Sequence, residues 1–450
     1  MKQVQENQMK EKAETKTGLK GYYSITFLIG LGFFTMGLMD PLYDTYVPIF
    51  LSKFIESKGL IGTIMTLDNV FAILLIPIVS ALSDRTRTAI GRRMPYIIST
   101  LPLTAIAFGI IPFTALSTLT ALIISIFILN IFKQSARGPV VALMPDMIPG
   151  ELRSEANGVI NTMGGIASIV GTIGLAQLMN VVVNIPGHGS VKEILAFPVA
   201  GLLVILSTIL LFLFVKEKRG KRADGEREQE KKTSLSQSLK MIMGSKDKSA
   251  LLILLSLLFW FIGYQGVLPF IGLYSTEILA TSSGTAAFAA GMVGIAYAIF
   301  AIPSGIIAHR RGRKVTIRTA LLILTGVLLL VFLHDPITKA LGLSPFLRQI
   351  TFWVLMFFFG MFWVSIITNS FPMLWQMATY SDMGIYTGLY YFFSQLASII
   401  APPITGGFID LFGFRAIFLF AAVCMVIAYF IMGGVKRGEA NEQQAEAISS

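Results

Sequence analysis

The chain has 450 residues, of which 54% are hydrophobic and only 14% charged, and its mean hydropathy is +0.72. An ordinary soluble domain carries roughly 25% charged residues, so this composition excludes one and points to a lipid bilayer. A formal net charge of +11 would suggest nucleic acid as partner of a soluble protein, but its distribution, mostly on one side of the apolar spans, argues against that reading.

Residues 1–21 are polar and mixed in charge, with no apolar stretch beside a small-residue cleavage site, so a solvated tail and a retained first span are expected. Runs of about 20 apolar residues, the length that crosses about 30 Å of hydrocarbon, then follow twelve times. They lie near 22–50, 59–83, 95–115, 117–143, 157–183 and 193–215 in the first half. In the second half they lie near 249–274, 285–308, 316–334, 349–373, 384–408 and 412–435. The narrowest break is the turn at 115–117. The most polar stretch, 216–248, separates two sets of six and reads as a cytoplasmic linker, its alternating Glu and Lys able to support a short surface helix. The expected organisation is therefore a tail (1–21), an N-terminal six-helix bundle (22–215), the linker (216–248), a C-terminal six-helix bundle (249–435) and a second tail (436–450).

With the N-terminus placed in the cytoplasm, 28 of the 36 Lys and Arg fall on that side. This is the asymmetry that orients membrane helices, so both termini are expected to be cytoplasmic and the chain to be a multi-pass protein of the cell membrane. A single cysteine, Cys424, excludes an intrachain disulfide. No nucleophile–base–acid set, phosphate loop or metal-ligand spacing is present. Neither an enzyme nor a cofactor or metal is expected.

Two short basic segments, about 225 residues apart, each follow the second span of their half. The first runs Asp84-Arg85-Thr86-Arg87 to Gly91-Arg92-Arg93; the second is His309-Arg310-Arg311-Gly312-Arg313-Lys314. They mark two parallel repeats joined in tandem, an arrangement found in transporters. Pro139 and Pro372 near the ends of the fourth and tenth spans extend the correspondence. His309 occupies the acidic position of the second segment, while His188 and His334 are expected in exposed loops opposite the basic side.

Charges inside a bilayer cost at least about 2.5–3.5 kcal/mol each and therefore tend to face cavities. Asp40 and Asp44 stand one turn apart on the first span, Asp68 on the second, and Lys133 and Arg137 one turn apart on the fourth, beside Asn130 and Gln134. At about 1.5 Å per residue, Asp40 lies closer in depth to Lys133 than to Arg137. Such a pair either fixes helices within the first half or serves solute and proton, since a carboxylate at this depth can take and release a proton as a cavity alternates between two aqueous faces. A sugar needs hydroxyl partners and aromatic faces. Tyr43, Tyr264, Gln265, Trp363, Asn369, Tyr386 and Tyr390 are the candidates, with Tyr46 and Trp260 also aromatic and suitably placed, whereas Trp353 and Trp375 suit membrane-interface anchors.

The second basic segment, with Gly305 before it, resembles the signature between spans 2 and 3 of major facilitator transporters, and Asp84 to Arg93 resembles its longer variant. More narrowly, Pro77-Ile78-Val79, Ser83-Asp84-Arg85 and Gly91-Arg92-Arg93-Met94-Pro95-Tyr96-Ile97 resemble the sucrose/proton symporter group. Asn130, Gln134 and Ala142-Leu143-Met144-Pro145-Asp146 are similar to that group's fourth span. Thr86-Arg87 and Pro95 are similar to the wider glycoside-pentoside-hexuronide symporters. The resemblance implies two pseudo-symmetric six-helix bundles in an all-α membrane fold. It also implies a gating group: Asp84 engaging the N-terminus of the eleventh helix, Arg85, Gly91, Arg92, Arg93 and Asp146 supporting it, Arg153 as a partner, and His309, Arg310, Gly312 and Arg313 as the second copy. Sodium-coupled relatives carry paired aspartates where this chain has Ala72 and Ile76, which favours protons over sodium. The plant symporters' fourth-span arginine position is Val141 here, with Arg137 one turn earlier, and the acidic residue of many bacterial relatives near Leu268-Pro269 is absent.

The expected function is proton-coupled uptake of a sugar or glycoside by alternating access, in a monomer whose partners are the solute and the lipid. The competing readings are a proton-driven efflux antiporter for sugars or amphipathic solutes and a membrane sensor signalling through the linker.

Overall fold

The computed structural model describes residues 21–149, 152–217, 235–377 and 383–439. The tail at 1–20, the linker segment 218–234 with its Glu/Lys alternation, and the tail at 440–450 lie outside the described residues. Twelve helical segments long and apolar enough to cross a membrane are present among them. In the first half they are built from α1 (Tyr23–Ser52), α2 and α3 (Lys58–Met65, Leu67–Arg85), α4 (Met94–Thr114), α5 (Leu119–Met147), α6 (Arg153–Ile169) and α7 (Ala196–Phe214). After a short helix, α8 (Leu235–Gly244), come α9 (Ser249–Glu277), α10 and α11 (Ser283–Ala286, Phe288–Arg311) and α12 (Arg313–Ala340). The last three are α13 (Pro345–Trp375), α14 (Met383–Phe412) and α15 (Ala416–Gly433). Large apolar side chains left exposed, such as Ile302 at 75% and Leu411 at 77%, are what a lipid-facing surface requires. The protein is an all-α membrane protein with twelve transmembrane helices.

Several boundaries differ from the apolar runs. The turn at 115–117 is a true break, with Thr118 accepting from Ala121 N to start α5. The fifth span is not one regular helix: beyond Ile169 it widens over Val170–Gly174 and tightens over Leu175–Asn180, around Gly171 and Gly174. A small hairpin follows, β1 (Val183–Ile185) antiparallel to β2 (Gly189–Val191), and His188 is exposed in its turn. His334 is a correction. It lies inside α12 at 5% exposure, with Nε2 2.8 Å from Thr351 Oγ1. The apolar run ends there, but the helix continues because Asp335 pairs with Lys339 one turn on and with Arg348 of α13. The second basic segment is also no loop. His309, Arg310 and Arg311 form the last turn of α11, Gly312 alone connects, and Arg313 opens α12.

Packing divides the chain into one unit of residues 1–42 and 71–224 and another of 43–70 and 225–450. The repeat halves 22–215 and 249–435 are a division by sequence. Residues 43–70 group with the C-terminal helices because α2 lies against α14. In the first unit α4 packs on α5 and α7 around Ile97, Leu101, Val140, Leu143 and Leu211. In the second, α9 packs on α14 and α15, and α13 on α11 and α12. Its core is aromatic: Tyr274 lies 5.3 Å from Phe352 and 4.9 Å from Phe418, ring centre to ring centre.

Candidate functional site

The first basic turn is a charge network drawn tight by a left-handed glycine. Gly91 has φ +113°, and a Cβ there would lie 2.1 Å from Glu217 Oε2, so only glycine lets the backbone meet that carboxylate. Glu217, just beyond α7, accepts from Arg93 N at 2.9 Å and Met94 N at 3.3 Å. These are first-turn N–H groups of α4 that have no partner inside the helix, and the helix dipole favours an anion there. Arg93 is 3% exposed. Its guanidinium donates to Asp146 at 2.9 Å, to Ser83 Oγ, to Ser80 O and to Asp84. Arg92 makes a two-point contact with the same Asp146, at 3.1 and 2.5 Å, the bidentate geometry that strengthens such pairs. Burial alone would lower the Arg92 pKa, but the Asp146 hydrogen bond and the charges of Asp146, Asp84 and Glu217 hold it above its ordinary value. Arg85 is exposed at the end of α3. Arg153 does not meet Asp84 in this structure: it donates to Pro145 O at 2.9 Å and Ile148 O at 3.2 Å, closing the end of α5.

The second turn repeats the cap without the network. Gly312 has φ +92°, and Glu439, just beyond α15, accepts from Arg313 N at 2.7 Å and Lys314 N at 2.9 Å. Lys314 Nζ donates to Gly433 O and Val435 O. His309 and Arg310 are exposed. Glu217 and Glu439 were not among the residues singled out in the sequence, although each follows a Val-Lys pair at the end of its half, Val215-Lys216 and Val435-Lys436. Each carboxylate ties the last helix of its half to the start of the third.

Inside the membrane, Lys133 Nζ lies 2.7 Å from Asp40 Oδ1, and Lys133 is 5% exposed. Asn130 and Gln134 on the same helix are fully buried. Arg137, one turn on, is half-buried and makes no hydrogen bond or ion pair among the described residues. The depth comparison drawn from the sequence therefore holds: Asp40 takes Lys133. Asp44 and Asp68 are half-buried and group with the second unit.

In the second unit the structure gathers Tyr264, Trp363 and Tyr390. Tyr264 stacks on Trp363 at 3.9 Å and 2°, and near-parallel to Phe359 at 5.8 Å. Phe261 sets its edge against Trp363, and Tyr390 against Phe261. The Tyr390 hydroxyl is 3.2 Å from Ser370 Oγ. Gln265 donates to Ser398 Oγ at 2.6 Å, whereas Asn369 spends its Nδ2 on Ser365 O of its own helix. Tyr386 is half-buried. Tyr43 is 1% exposed, and Tyr46 donates to Ser283 O at 2.7 Å, so both are packed among helices. Trp260 is likewise fully buried. Trp375 donates to Thr387 Oγ1 and Trp353 packs on Phe288.

The fold has relatives among solved structures. A bacterial homolog of the human lysosomal transporter Spinster, inward-facing and occupied, superposes with a TM-score of 0.69 at 13% identity, over 92% of this chain and 96% of that one. The nucleoside transporter NupG gives 0.69 at 12% identity, over 91% and 99%. A D-xylose-proton symporter gives 0.65 at 14%, over 92% and 98%. At such identities the likeness is one of fold. No curated protein matches the sequence. The family model of the Major Facilitator Superfamily matches residues 25–380 and again 253–448. Matched over most of its length, and repeating its basic turn and its glutamate cap in each half, the chain belongs to the Major Facilitator Superfamily, as a multi-pass membrane transporter of small solutes and not an enzyme.

Proposed function

We propose that the chain takes up a sugar or glycoside together with protons, by alternating access. The observation that carries the reading is the Asp40–Lys133 pair, 2.7 Å apart within membrane spans, with the half-buried Arg137 one turn along the same helix. Intramembrane charges mark solute or ion pathways by default. Protonation of Asp40 removes the counter-charge of Lys133. The buried ammonium then needs another acceptor, and a solute hydroxyl supplies it, so proton and solute arrive together. Release of the proton on the other side restores the ion pair and expels the solute. Arg137 extends the donor row, while Asn130 and Gln134 add groups able to orient a polyol. In the second unit Tyr264, Trp363 and Tyr390 are of the residue type that packs on sugar faces, although here their rings are packed on one another and on Phe261 and Phe359. The fold is shared with a D-xylose-proton symporter, whose coupling is the one assigned here.

In the same reading the first basic turn is the cytoplasmic gate and the lipid bilayer is the cell membrane, with both termini inside and the protein acting as a monomer. Neither sodium nor a cofactor is required. The test is uptake of labelled sucrose, maltose and a glycoside panel into proteoliposomes under an imposed proton gradient, with sodium as the comparison. Uphill uptake that an uncoupler abolishes, and that Asp40→Asn reduces to exchange alone, is the expected result. Undiminished accumulation in Asp40→Asn removes the coupling role. Extrusion in place of uptake supports the antiporter.

A further inference from the structure

The second span runs from Lys58 to Arg85, so in crossing a bilayer it has Arg85 at its basic end and Lys58 at the opposite one. At that other end the N-terminus of α2 is capped from far along the chain. Asp410, in the last turn of α14, accepts from Lys58 N through Oδ1 at 2.7 Å, and from Gly59 N at 3.0 Å and Ser57 Oγ at 2.8 Å through Oδ2. Ser57 also accepts from Leu60 N within α2. The carboxylate therefore satisfies two orphan backbone donors and sits at the positive end of the helix. The two backbones below it touch. A Cβ on Gly62 would lie 2.2 Å from Pro402 O, and one on Gly406 2.2 Å from Lys58 O. Lys58 Nζ reaches Glu277 Oε1 at 3.4 Å, at the end of α9. On α1, Thr45 is 2% exposed and its methyl group lies 2.9 Å from where a Cβ of Gly272 would be.

We propose that Asp410 is a releasable latch, holding α2 against α14 and so keeping the face opposite the basic turns shut. Two properties suit it to that work. Its partners are backbone N–H groups and a serine hydroxyl at an exposed rim, so water replaces them at small cost when the helices part. In the seal beneath, Gly62 and Gly406 lie directly against backbone of the other helix, so at those two points the surfaces part without a rotamer change. Opening this face breaks all three hydrogen bonds together. In the present conformation they are made, while on the basic face Asp84 is held by Arg93 of its own unit. The inference rests on the alternating-access reading above and adds a gating residue to it.

The experiment reads accessibility away from the latch. Thr45→Cys, in a Cys424→Ser background, is labelled with a membrane-impermeant maleimide in proteoliposomes; Ser283→Cys, beside Tyr46, is an independent second reporter. Asp410→Ala is expected to raise the labelling rate about fivefold, the factor that corresponds to loss of a typical helix cap, and Asp410→Asn to give much of that rise. Gly406→Val, which forces the same helices apart by bulk, sets the upper limit. Unchanged labelling at both reporters in Asp410→Ala, while Gly406→Val raises it, overturns the proposal and leaves Asp410 as a local end cap whose loss only frays α2. The labelling does not depend on knowing the solute. Faster labelling in a protein that accumulates no sugar keeps the latch and rejects the sugar reading; sugar uptake with unchanged labelling does the reverse.

Discussion

The two basic turns have the same backbone cap and different side-chain chemistry. In the first, the eight-residue connection 86–93 carries two arginines that bind Asp84, Asp146 and Glu217. In the second, Gly312 alone joins two helices and Glu439 meets backbone N–H groups. The cap is what the repeat retains, because the third helix of each half needs its first N–H groups satisfied whatever its side chains. The charge network is local to one half. It is the only one of the two turns with an acid at the end of the preceding helix, Asp84 against His309.

The largest effect that tests this contrast is removal of the buried arginine. Arg93→Gln leaves Asp146 and Asp84 facing each other without their shared cation, and is expected to destabilise the first half by about 3 kcal/mol, in the range for breaking a buried pair. Arg313→Gln, at the matching position, is expected to cost under about 1 kcal/mol, since its backbone N–H and not its guanidinium meets Glu439. Thermal unfolding of the two purified variants in the same detergent compares them directly. Equal losses would mean that the second turn contains a network of its own.

The caps come next. Glu217→Gln and Glu439→Gln each weaken one anion at a helix N-terminus, for an expected loss of about 1 kcal/mol. The Glu217 variant should lose somewhat more because Arg92 Nε lies 3.8 Å from its carboxylate. A loss at Glu439 far exceeding that at Glu217 would reverse the assignment of the denser site. Smaller still is His309→Asp, which restores an acid to the second turn beside Arg310 and Arg311. At an exposed position the gain is expected to stay within about 0.5 kcal/mol, and transport by this variant should match the parent. A changed transport rate would show that the second turn also gates.

What the sequence made legible follows from how each feature is encoded. Twelve spans and their paired organisation are written in consecutive apolar residues and in glycine-arginine clusters, which need no knowledge of contacts. The Asp40–Lys133 pair followed from depth, because helical rise converts residue number into distance across the membrane. Glu217, Glu439 and Asp410 were not legible. Each is an acid met chiefly by backbone N–H groups more than a hundred residues away, and a backbone donor has no sequence signature. His334 was misplaced because an apolar run ends where polar residues start, whereas α12 continues through Asp335 and its partners. The aromatic candidates were legible as a group only. Sequence could not tell Tyr264 and Trp363, stacked in one cluster, from Tyr43 and Tyr46, packed between helices.

The smallest effect expected bears on how the second half holds its basic face without a charge network. Asp247 accepts from Ser249 N and from Ser249 Oγ at 2.8 Å, and that hydroxyl oxygen accepts from Lys436 N at 3.0 Å beyond α15. A relay of hydrogen bonds thus joins the start of α9 to the end of α15, where the first half relies on arginines. Burial would raise the Asp247 pKa, but the Ser249 bonds and the charges of Arg437 and Lys436 lower it below 3.8. A carboxylate lowered by folding stabilises the folded state above its unfolded value, and that contribution is lost as pH falls through the folded one. Because Asp247 is close to solvent, the contribution is small. Asp247→Asn should therefore leave stability at neutral pH nearly unchanged and slightly flatten its fall below about pH 4, the unfolded carboxylate range. Unfolding midpoints of parent and variant measured from pH 3 to pH 7 read it, and a variant as steep in acid as the parent would assign no part of that fall to the relay.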